Sequence, residues 1–387
     1  MRSICIVTGT RAEYGLLRPV MRALQARDDF TLQIVATGMH LSQEFGYTAQ
    51  SITADGFRID EKVEMLLSSD SAVGITKSIG LGVIGFADAF ARLAPDLVMV
   101  LGDRFEMLAA VQAALIARIP VAHLCGGDTT EGAFDESIRH AITKMSHLHF
   151  VSNEQAADRV RQMGENPDRV FNVGSSGIDA ILELPLLDRH ELEQQLGIAI
   201  PPRMLLTTYH PETLGTCSSA DQLGELFAAL DTLCAEDQGC SVLFTMPNAD
   251  TGGRELMRLI SDYAAAREHV SAHTSLGHLR YLSAMKLAAA VVGNSSSGLY
   301  EAPSLRVPTV NIGDRQKGRL RAASVIDCGA ARNDILAALR TALSMDCSHT
   351  VNPYGNGNTA QRIVEALATV PDFAGLIRKP FHMVAGA

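Results

Sequence analysis

The chain lacks the marks of most specialised classes. No Cys-x-x-Cys pair occurs among its seven cysteines (Cys5, Cys125, Cys217, Cys234, Cys240, Cys328 and Cys347), and their number is odd. Such dispersed residues make neither a disulfide framework nor a zinc site, and they predict a reducing compartment. Basic residues are in deficit: Lys and Arg total 33 against 43 for Asp and Glu, a formal net charge of -10. Proteins that live on nucleic acid or anionic membranes carry the opposite balance, so neither is expected as a partner. The most apolar stretch, Met107 to Ala117, is cut by Arg118, well short of the roughly 20 residues a membrane span needs. The amino terminus enters a strand-like segment, Ile4 to Val7, with no charged-then-apolar leader. Low-complexity tracts and short repeats are missing too. A cytoplasmic protein is the expectation.

What is present is an ordinary globular composition, 47% apolar and 20% charged, over 387 residues. That length suits two domains with sizeable cores. Short apolar runs recur, each closed by Gly or polar residues: ICIV (4–7), LQIVAT (32–37), LVMVL (97–101), VAHL (121–124), LHFVS (148–152) and VFNV (170–173). Amphipathic helical segments lie between them. Continuous rather than alternating apolar strands, interleaved with helices, predict a parallel sheet covered on both faces. The rhythm restarts with MLLTTY (204–209), SVLFTM (241–246), AAAVVG (288–293), VPTVNI (307–312) and SVIDCG (324–329). The fold class is therefore α/β, as two Rossmann-like doubly wound domains facing across a cleft. Their expected bounds are 1–182 and 183–365, with a tail over 366–387 packing back on them. In open parallel sheets ligands sit at the carboxyl ends of the strands, so functional residues should follow strands directly.

In the first half, TGTRAEYG after strand one offers backbone N–H groups, a helix start and the forked donor of Arg11 to an anion. An exposed Arg in a plain turn is the equal alternative. His40, in TGMHL after strand two, is a cleft residue or a loop histidine. Asp103 and Arg104 end the third run in LGDRFE; Asp103 is a catalytic carboxylate or the N-cap of the following helix. The segment HLCGGDTTEGAFDESIRH then crowds Asp128, Glu131, Asp135 and Glu136 into a Gly-rich loop and a helix start. Acids this close raise one another's pKa and keep one proton, as acid/base chemistry requires. The alternative has Asp135 and Glu136 suiting the helix dipole, with Asp135 paired to Arg139. His147 and His149 match no ligand spacing and read as structural.

In the second half, His210 follows a strand in TYHPE and can act as acid, base or phosphate donor. Asn248, in MPNADTGG, is a polar cleft contact. The strongest signal is VGNSSSGLYEAPSL, where Ser295 and Ser296 precede a helix expected to begin near Leu299. Successive N–H groups and hydroxyls there form a nest for phosphate oxygens. Glu301 would repel phosphate, and it suits the hydroxyl pair of a ribose. NIGDRQKGRLR supplies Arg315, Lys317, Arg319 and Arg321, a dense basic cluster in an acidic chain. No P-loop lysine motif occurs, so this half reads as a nucleoside diphosphate site without ATPase chemistry.

Taken in order, GTRAEYG, TGMHL, VLGDRFE, GGDTTEGAFDESIRHAITKMSHLHF, YHPE, PNADTG, GNSSSGLYEAPS and NIGDRQKGR resemble the hydrolysing UDP-N-acetylglucosamine 2-epimerases. Those enzymes have the two-lobed GT-B fold, and the likeness covers nearly the whole chain. It is strongest to the bacterial branch that makes N-acetylmannosamine for sialic acid. The resemblance implies anti elimination of UDP from UDP-GlcNAc and syn addition of water, with no metal or redox cofactor. It makes Asp103 and Asp135 catalytic carboxylates and places His210 near the leaving diphosphate. Arg11, Ser295, Ser296 and Arg315 hold UDP, Glu301 takes the ribose, and Asn248 lines the cleft. Several relatives have His-x-Glu-Gly-Gly-Glu where this chain has His123-Leu-Cys125-Gly-Gly-Asp128. Cys125 is no carboxylate, so the missing role falls to Asp128 or Glu131. A homodimer or homotetramer is expected by analogy.

The same chemistry on a UDP-2,4-diacetamido-2,4,6-trideoxy sugar is the first alternative. A non-hydrolysing epimerase, a glycosyltransferase of this fold and a non-catalytic sugar-nucleotide sensor are the others. The match around FDESIRHAITKMS favours GlcNAc at this stage.

Overall fold

The apolar runs become parallel strands buried on both faces, as continuous hydrophobicity requires. The computed structural model describes residues 1–67, 71–129, 135–211, 218–237, 239–247 and 253–384. They form two compact units, Met1–Ala180 with Gly357–Ala387, and Ile181–Asn356.

The first unit holds a seven-stranded sheet. Its strands are β1 (Arg2–Thr8), β2 (Phe30–Thr37), β3 (Glu61–Val63), β4 (Leu97–Leu101), β5 (Val121–Leu124), β6 (Leu148–Val151) and β7 (Val170–Asn172). They run in the order β3-β2-β1-β4-β5-β6-β7, every pair parallel. The order reverses between β1 and β4, which makes those strand ends the topological switch point. Alternate residues divide the two faces. Ile4, Ile6, Leu97 and Met99 pack under α1 (Arg11–Gln25). On the other face, Cys5, Val7, Val98 and Val100 pack under α3 (Ala72–Leu93) and α4 (Phe105–Ile116). The remaining helices are α2 (Ala49–Ala54), α5 (Asp135–Met145), α6 (Glu154–Gln162) and α7 (Ser176–Glu183).

The second unit repeats the plan with six strands, β8 (Arg203–Thr208), β9 (Cys240–Thr245), β10 (Val270–His273), β11 (Ala290–Gly293), β12 (Thr309–Ile312) and β13 (Val325–Cys328). Their order is β10-β9-β8-β11-β12-β13, again all parallel. Helices α9 (Ser219–Glu236), α10 (Gly253–Ala265) and α13 (Arg332–Leu343) cover one face, and α8 (Arg189–Leu196) and α11 (Gly277–Leu287) the other. A short turn of helix, α12 (Ser297–Tyr300), follows β11. Helix α8, expected from the charged LDRHELEQQLG stretch, begins with a reciprocal capping box of Asp188 and Glu191.

Three points differ from the sequence reading. Strands β3 and β10 were not anticipated; they are short edge strands with polar residues, and little apolar run announces them. Helix α14 (Thr359–Thr369) groups with the first unit, whereas its start was placed in the second domain. Its stripe of Ala360, Ile363, Val364 and Leu367 joins the core that α1 covers, and burial of each large aliphatic side chain contributes about 1.5–3 kcal/mol. Asp179 caps it, accepting from the Thr359 and Ala360 amides at 3.0 and 2.7 Å. A rhythm of strand and helix cannot show where a final helix returns. Lastly, among the described residues α3 and not Met107–Ala117 is the helix long and apolar enough to cross a membrane, with mean hydropathy 1.4 over its most apolar window. Gly82, Phe86, Ala89 and Phe90 bury its inner face on the sheet, which is the behaviour of a core helix.

Candidate active site

At the first switch point the chain concentrates ionisable groups. Thr10 caps α1 by accepting the Glu13 amide at 3.2 Å, and Arg11 opens the helix as an exposed residue. Arg104, not Asp103, occupies the N-cap of α4, and its side chain makes no cap bond. Asp103 is thereby released from the structural role that the sequence allowed it. Its carboxylate instead pairs with Arg139, a buried guanidinium on α5. Arg139 also donates to the Asp128 carbonyl at 2.6 Å and to Glu136 at 3.2 Å. The expected helix pair of Asp135 with Arg139 thus gives way to a longer-range bond that ties the β4 loop to α5. Burial first, then the nearby Asp103 charge, raises the Asp135 carboxyl above its ordinary range.

Asp128 follows β5 on a tight loop. Its Oδ1 accepts from Ser152 Oγ at 2.8 Å and from Asn153 Nδ2 at 3.3 Å. Gly127 has φ +79, and a Cβ there would run into the Ala156 carbonyl, so only glycine fits. Cys125 sits at φ +61, a strained conformation for a residue with a side chain. Burial pushes its thiol up to about 12, so it stays a neutral thiol. His123 Nε2 donates to the Gly102 carbonyl at 2.8 Å, its Nδ1 meets Thr143 Oγ1 at 3.1 Å, and burial lowers it to about 3. Glu131 lies outside the described residues.

Further buried side chains complete this corner. His40 is fully buried between Thr8 Oγ1 (3.1 Å) and Thr48 Oγ1 (2.8 Å), and burial lowers its pKa to about 4. Both nitrogens are therefore engaged inside the protein. Arg104 forks onto Glu106 at 3.1 and 2.9 Å, and Glu106 is buried. Glu13 escaped the sequence reading. It is buried, and its Oε2 accepts the Gly9 amide at 2.7 Å. Its pKa is pushed up to about 8 by burial and then by Glu106. Position three of a helix after a Thr cap is the signal that could have marked it.

The second switch point is built mainly from neutral polar groups. Asn294, after β11, accepts the His210 amide at 2.7 Å and donates to the His210 carbonyl at 2.8 Å. That double bond fixes the loop after β8 against the loop after β11, and it leaves the nearly buried His210 ring (8% exposed) at the strand ends. Gly293, at φ +127, lies so close to Thr208 that a Cβ would strike its carbonyl. Ser295 Oγ accepts from the Ser297 hydroxyl at 3.1 Å, and Ser297 meets Tyr281 Oη at 2.5 Å. Arg315 reaches the same turn, donating to the Asn294 carbonyl at 3.0 Å beside Gln316 at 2.8 Å.

The serine-rich turn thus gathers with Arg315 as expected, but the helix after it differs. It starts at Ser297 and lasts one turn, and its first amides bond back to Ser295 and Ser296. Hydroxyls and Arg315 are therefore the donors with most to offer an anion. The rest of the basic cluster turns elsewhere: Lys317 to Asp314 at 3.8 Å, Arg319 to Gln316 at 2.9 Å, and Arg321 to Asp327 at 2.5 Å. Glu301 is partly buried, and burial raises it to about 7. Asn294, Tyr281 and Gln316 were missed as organisers because amides and phenols carry no distinctive spacing. Asn248 lies outside the described residues. Among those described, no three His, Cys, Asp or Glu side chains converge as a metal ligand set.

Two Rossmann-like units with polar and charged side chains after their central strands define a GT-B-like α/β protein. The chain belongs to the UDP-N-acetylglucosamine 2-epimerase family, whose model matches residues 22–368. It is 45% identical over 327 residues to the GDP/UDP-N,N'-diacetylbacillosamine 2-epimerase (hydrolyzing) of Campylobacter jejuni, covering 84% of each chain. To the polysialic acid biosynthesis protein P7 of Escherichia coli it is 38% identical over 379 residues, 96% of this chain and 94% of the other. A UDP-N,N'-diacetylbacillosamine 2-epimerase (hydrolyzing) of Legionella pneumophila is 37% identical over 380 residues, 98% and 99% of the two chains. Among solved structures, the UDP-GlcNAc 2-epimerase of Neisseria meningitidis bound to UDP-GlcNAc shares the fold with TM-score 0.77 at 21% identity, over 95% of this chain and all of that one (100%).

Proposed function

We propose that this protein is a hydrolysing 2-epimerase that releases UDP from UDP-2,4-diacetamido-2,4,6-trideoxyglucose and inverts the sugar at C2. The reaction class rests on one observation: Asp103, freed from capping, is held by buried Arg139 beside Asp135. The substrate rests on likeness to the two relatives named for UDP-N,N'-diacetylbacillosamine, one of them 45% identical. This revises the GlcNAc preference drawn from the sequence.

The C2 proton of a sugar is too weakly acidic for a side chain to remove unaided. Cleavage of the C1–O bond must lead, and carboxylates stabilise the positive charge that builds at C1. Asp103 serves as that carboxylate. Asp135, biased toward its protonated form, serves as the proton-carrying partner. On the second unit, Arg315, Ser295, Ser296 and His210 hold the departing diphosphate, while Glu301 takes the ribose hydroxyls. Arg11 adds a cation at the first helix start. Anti elimination gives a glycal, and syn addition of water gives the free 2-epimer. With Cys125 neutral, Asp128 or Glu131 fills the remaining acid role. No step is routed through a metal or cofactor.

A second reading, UDP-GlcNAc to N-acetylmannosamine, is favoured by the P7 likeness at 38% identity. Offering both UDP sugars in deuterated water and following the products by NMR separates the two. The expected result is a free 2-epimer carrying deuterium at C2, with kcat/KM for the diacetamido sugar about tenfold or more above that for UDP-GlcNAc. The reverse order selects the second reading. A product still bearing UDP removes hydrolysis altogether.

We also infer that the protein self-associates through the outer layer of the first unit. Val73, Leu81 and Ile84 on α3 and Leu115 and Ile116 on α4 are large apolar side chains exposed there, and such surfaces mark interaction sites. A monomer in sedimentation at working concentration would remove this inference.

A further inference from the structure

Cys234 ends in the last turns of α9, and Cys240 opens β9. Dispersed in the sequence reading, they meet in the fold: Cys234 Sγ donates to Cys240 Sγ at 2.7 Å. That is inside the ordinary contact of two sulfurs and within easy closure of a bond of about 2.05 Å. The connection between them is tightly folded. Asp237 bonds back to the Leu233 carbonyl, Cys240 to the Asp237 carbonyl, and Gly239 donates to Asp237 Oδ1 at 3.0 Å. Arg203 pairs with Asp237 alongside.

Cys240 is 6% exposed and Cys234 half-buried, and the exposed side of the pair borders a groove. That groove, of about 430 Å³, runs along the amino ends of β8, β9 and β10, away from the strand ends described above, and Gly239, Cys240 and Ser241 line it. The hydrogen bond from Cys234 lowers the Cys240 thiol below its ordinary range, against burial and the Asp237 charge, and Arg203 adds a smaller pull the same way. Elsewhere burial pushes thiols up, to about 12 at Cys125 and Cys328 and further at Cys5, which leaves them inert.

We propose that Cys234 and Cys240 form a reversible redox pair that reacts with low-molecular-weight disulfides from the groove. The Cys240 thiolate attacks one sulfur of the incoming disulfide, whose S–S bond breaks and releases one thiolate. Cys234 then loses its proton to water and attacks Cys240 Sγ, expelling the second thiolate. The two released thiolates take up two protons. Two protein thiols are oxidised, and one external disulfide is reduced to two thiols.

The test uses the full-length protein exposed to glutathione disulfide, alkylated with N-ethylmaleimide and mapped by non-reducing peptide mass spectrometry. The expected product is a Cys234–Cys240 peptide pair lighter by two hydrogens. Alkylation of both residues should fall about tenfold before Cys5, Cys125 or Cys328 reacts, and dithiothreitol should restore it. Cys234→Ser should instead accumulate a stable glutathione adduct on Cys240. Full alkylation of both residues in the treated wild type overturns the proposal, whatever the variant does. So does a cross-link that joins either residue to another cysteine.

Discussion

The two units share one topology and place their functional residues at the same switch point, yet they furnish it with opposite chemistry. At the ends of β1, β4 and β5 the side chains are ionisable and pinned to one another: Asp103 to Arg139, Arg104 to Glu106, Asp128 to Ser152 and Asn153. At the ends of β8 and β11 the framework is amide and hydroxyl: Asn294, Ser295, Ser297, Tyr281 and Gln316, with Arg315 as the cation that joins them. The first arrangement can hold and move protons. The second, on the proposed reading, holds a diphosphate and a ribose. Fold supplied the position in both cases, and side chains supplied the role.

This contrast predicts that variants of the two units fail differently. Asp103→Asn should lower kcat by about 10³-fold, the range for losing an acid/base or electrostatic group, while UDP titrates as before. Loss of UDP affinity instead would show that the first unit also grips the nucleotide. Glu301→Ala should do the converse and weaken UDP by about tenfold, the worth of a hydrogen bond to a charged group, with a smaller change in kcat. Calorimetry with UDP alone reads the second effect. If both variants lost turnover and binding in the same proportion, the division of labour would be wrong.

The layers and most strands were legible because a parallel strand buried on both faces has to be apolar throughout, and IVMLF runs announce that directly. The same logic hid β3 and β10, which lie at the sheet edges and carry polar residues. It also misplaced α14, whose apolar stripe states that it packs but not on which unit. At the candidate site, the sequence singles out charged residues after strands, Asp103, Asp128 and Arg315, and Asp135 at the start of α5. Their partners are not singled out. Arg139 bonds to Asp103 across 36 positions, and no local spacing encodes such a contact. Cys234 and Cys240 were read as dispersed for a related reason. A helix end and the next strand start are brought together by the turn, so the relevant distance is spatial.

Glu13 belongs to the first pattern but takes no part in the proposed chemistry, and it offers the finest test of the contrast. Its Oε2 accepts the Gly9 amide, and its Oε1 is buried without a hydrogen-bond partner among the described residues. Burial and then Glu106 lift its pKa from 4.5 to about 8, with Arg104 pulling the other way. The unfolded chain gives up this proton near 4.5, whereas the folded chain keeps it to about 8. Folding therefore binds a proton across that window, and stability falls as pH rises through it. The stabilisation is complete below the unfolded value and gone above the folded one, each pKa unit being about 1.4 kcal/mol. Glu13→Gln keeps an acceptor for Gly9 and removes the titration. Urea unfolding at pH 5 and pH 8 should show the variant gaining about 1–3 kcal/mol on the wild type between the two. Its kcat should shift far less than that of Asp103→Asn. Parallel pH curves for the two proteins would mean that Glu13 is ionised in the fold and that a neighbouring cation, Arg104 first, holds it more firmly than its bidentate bond to Glu106 allows.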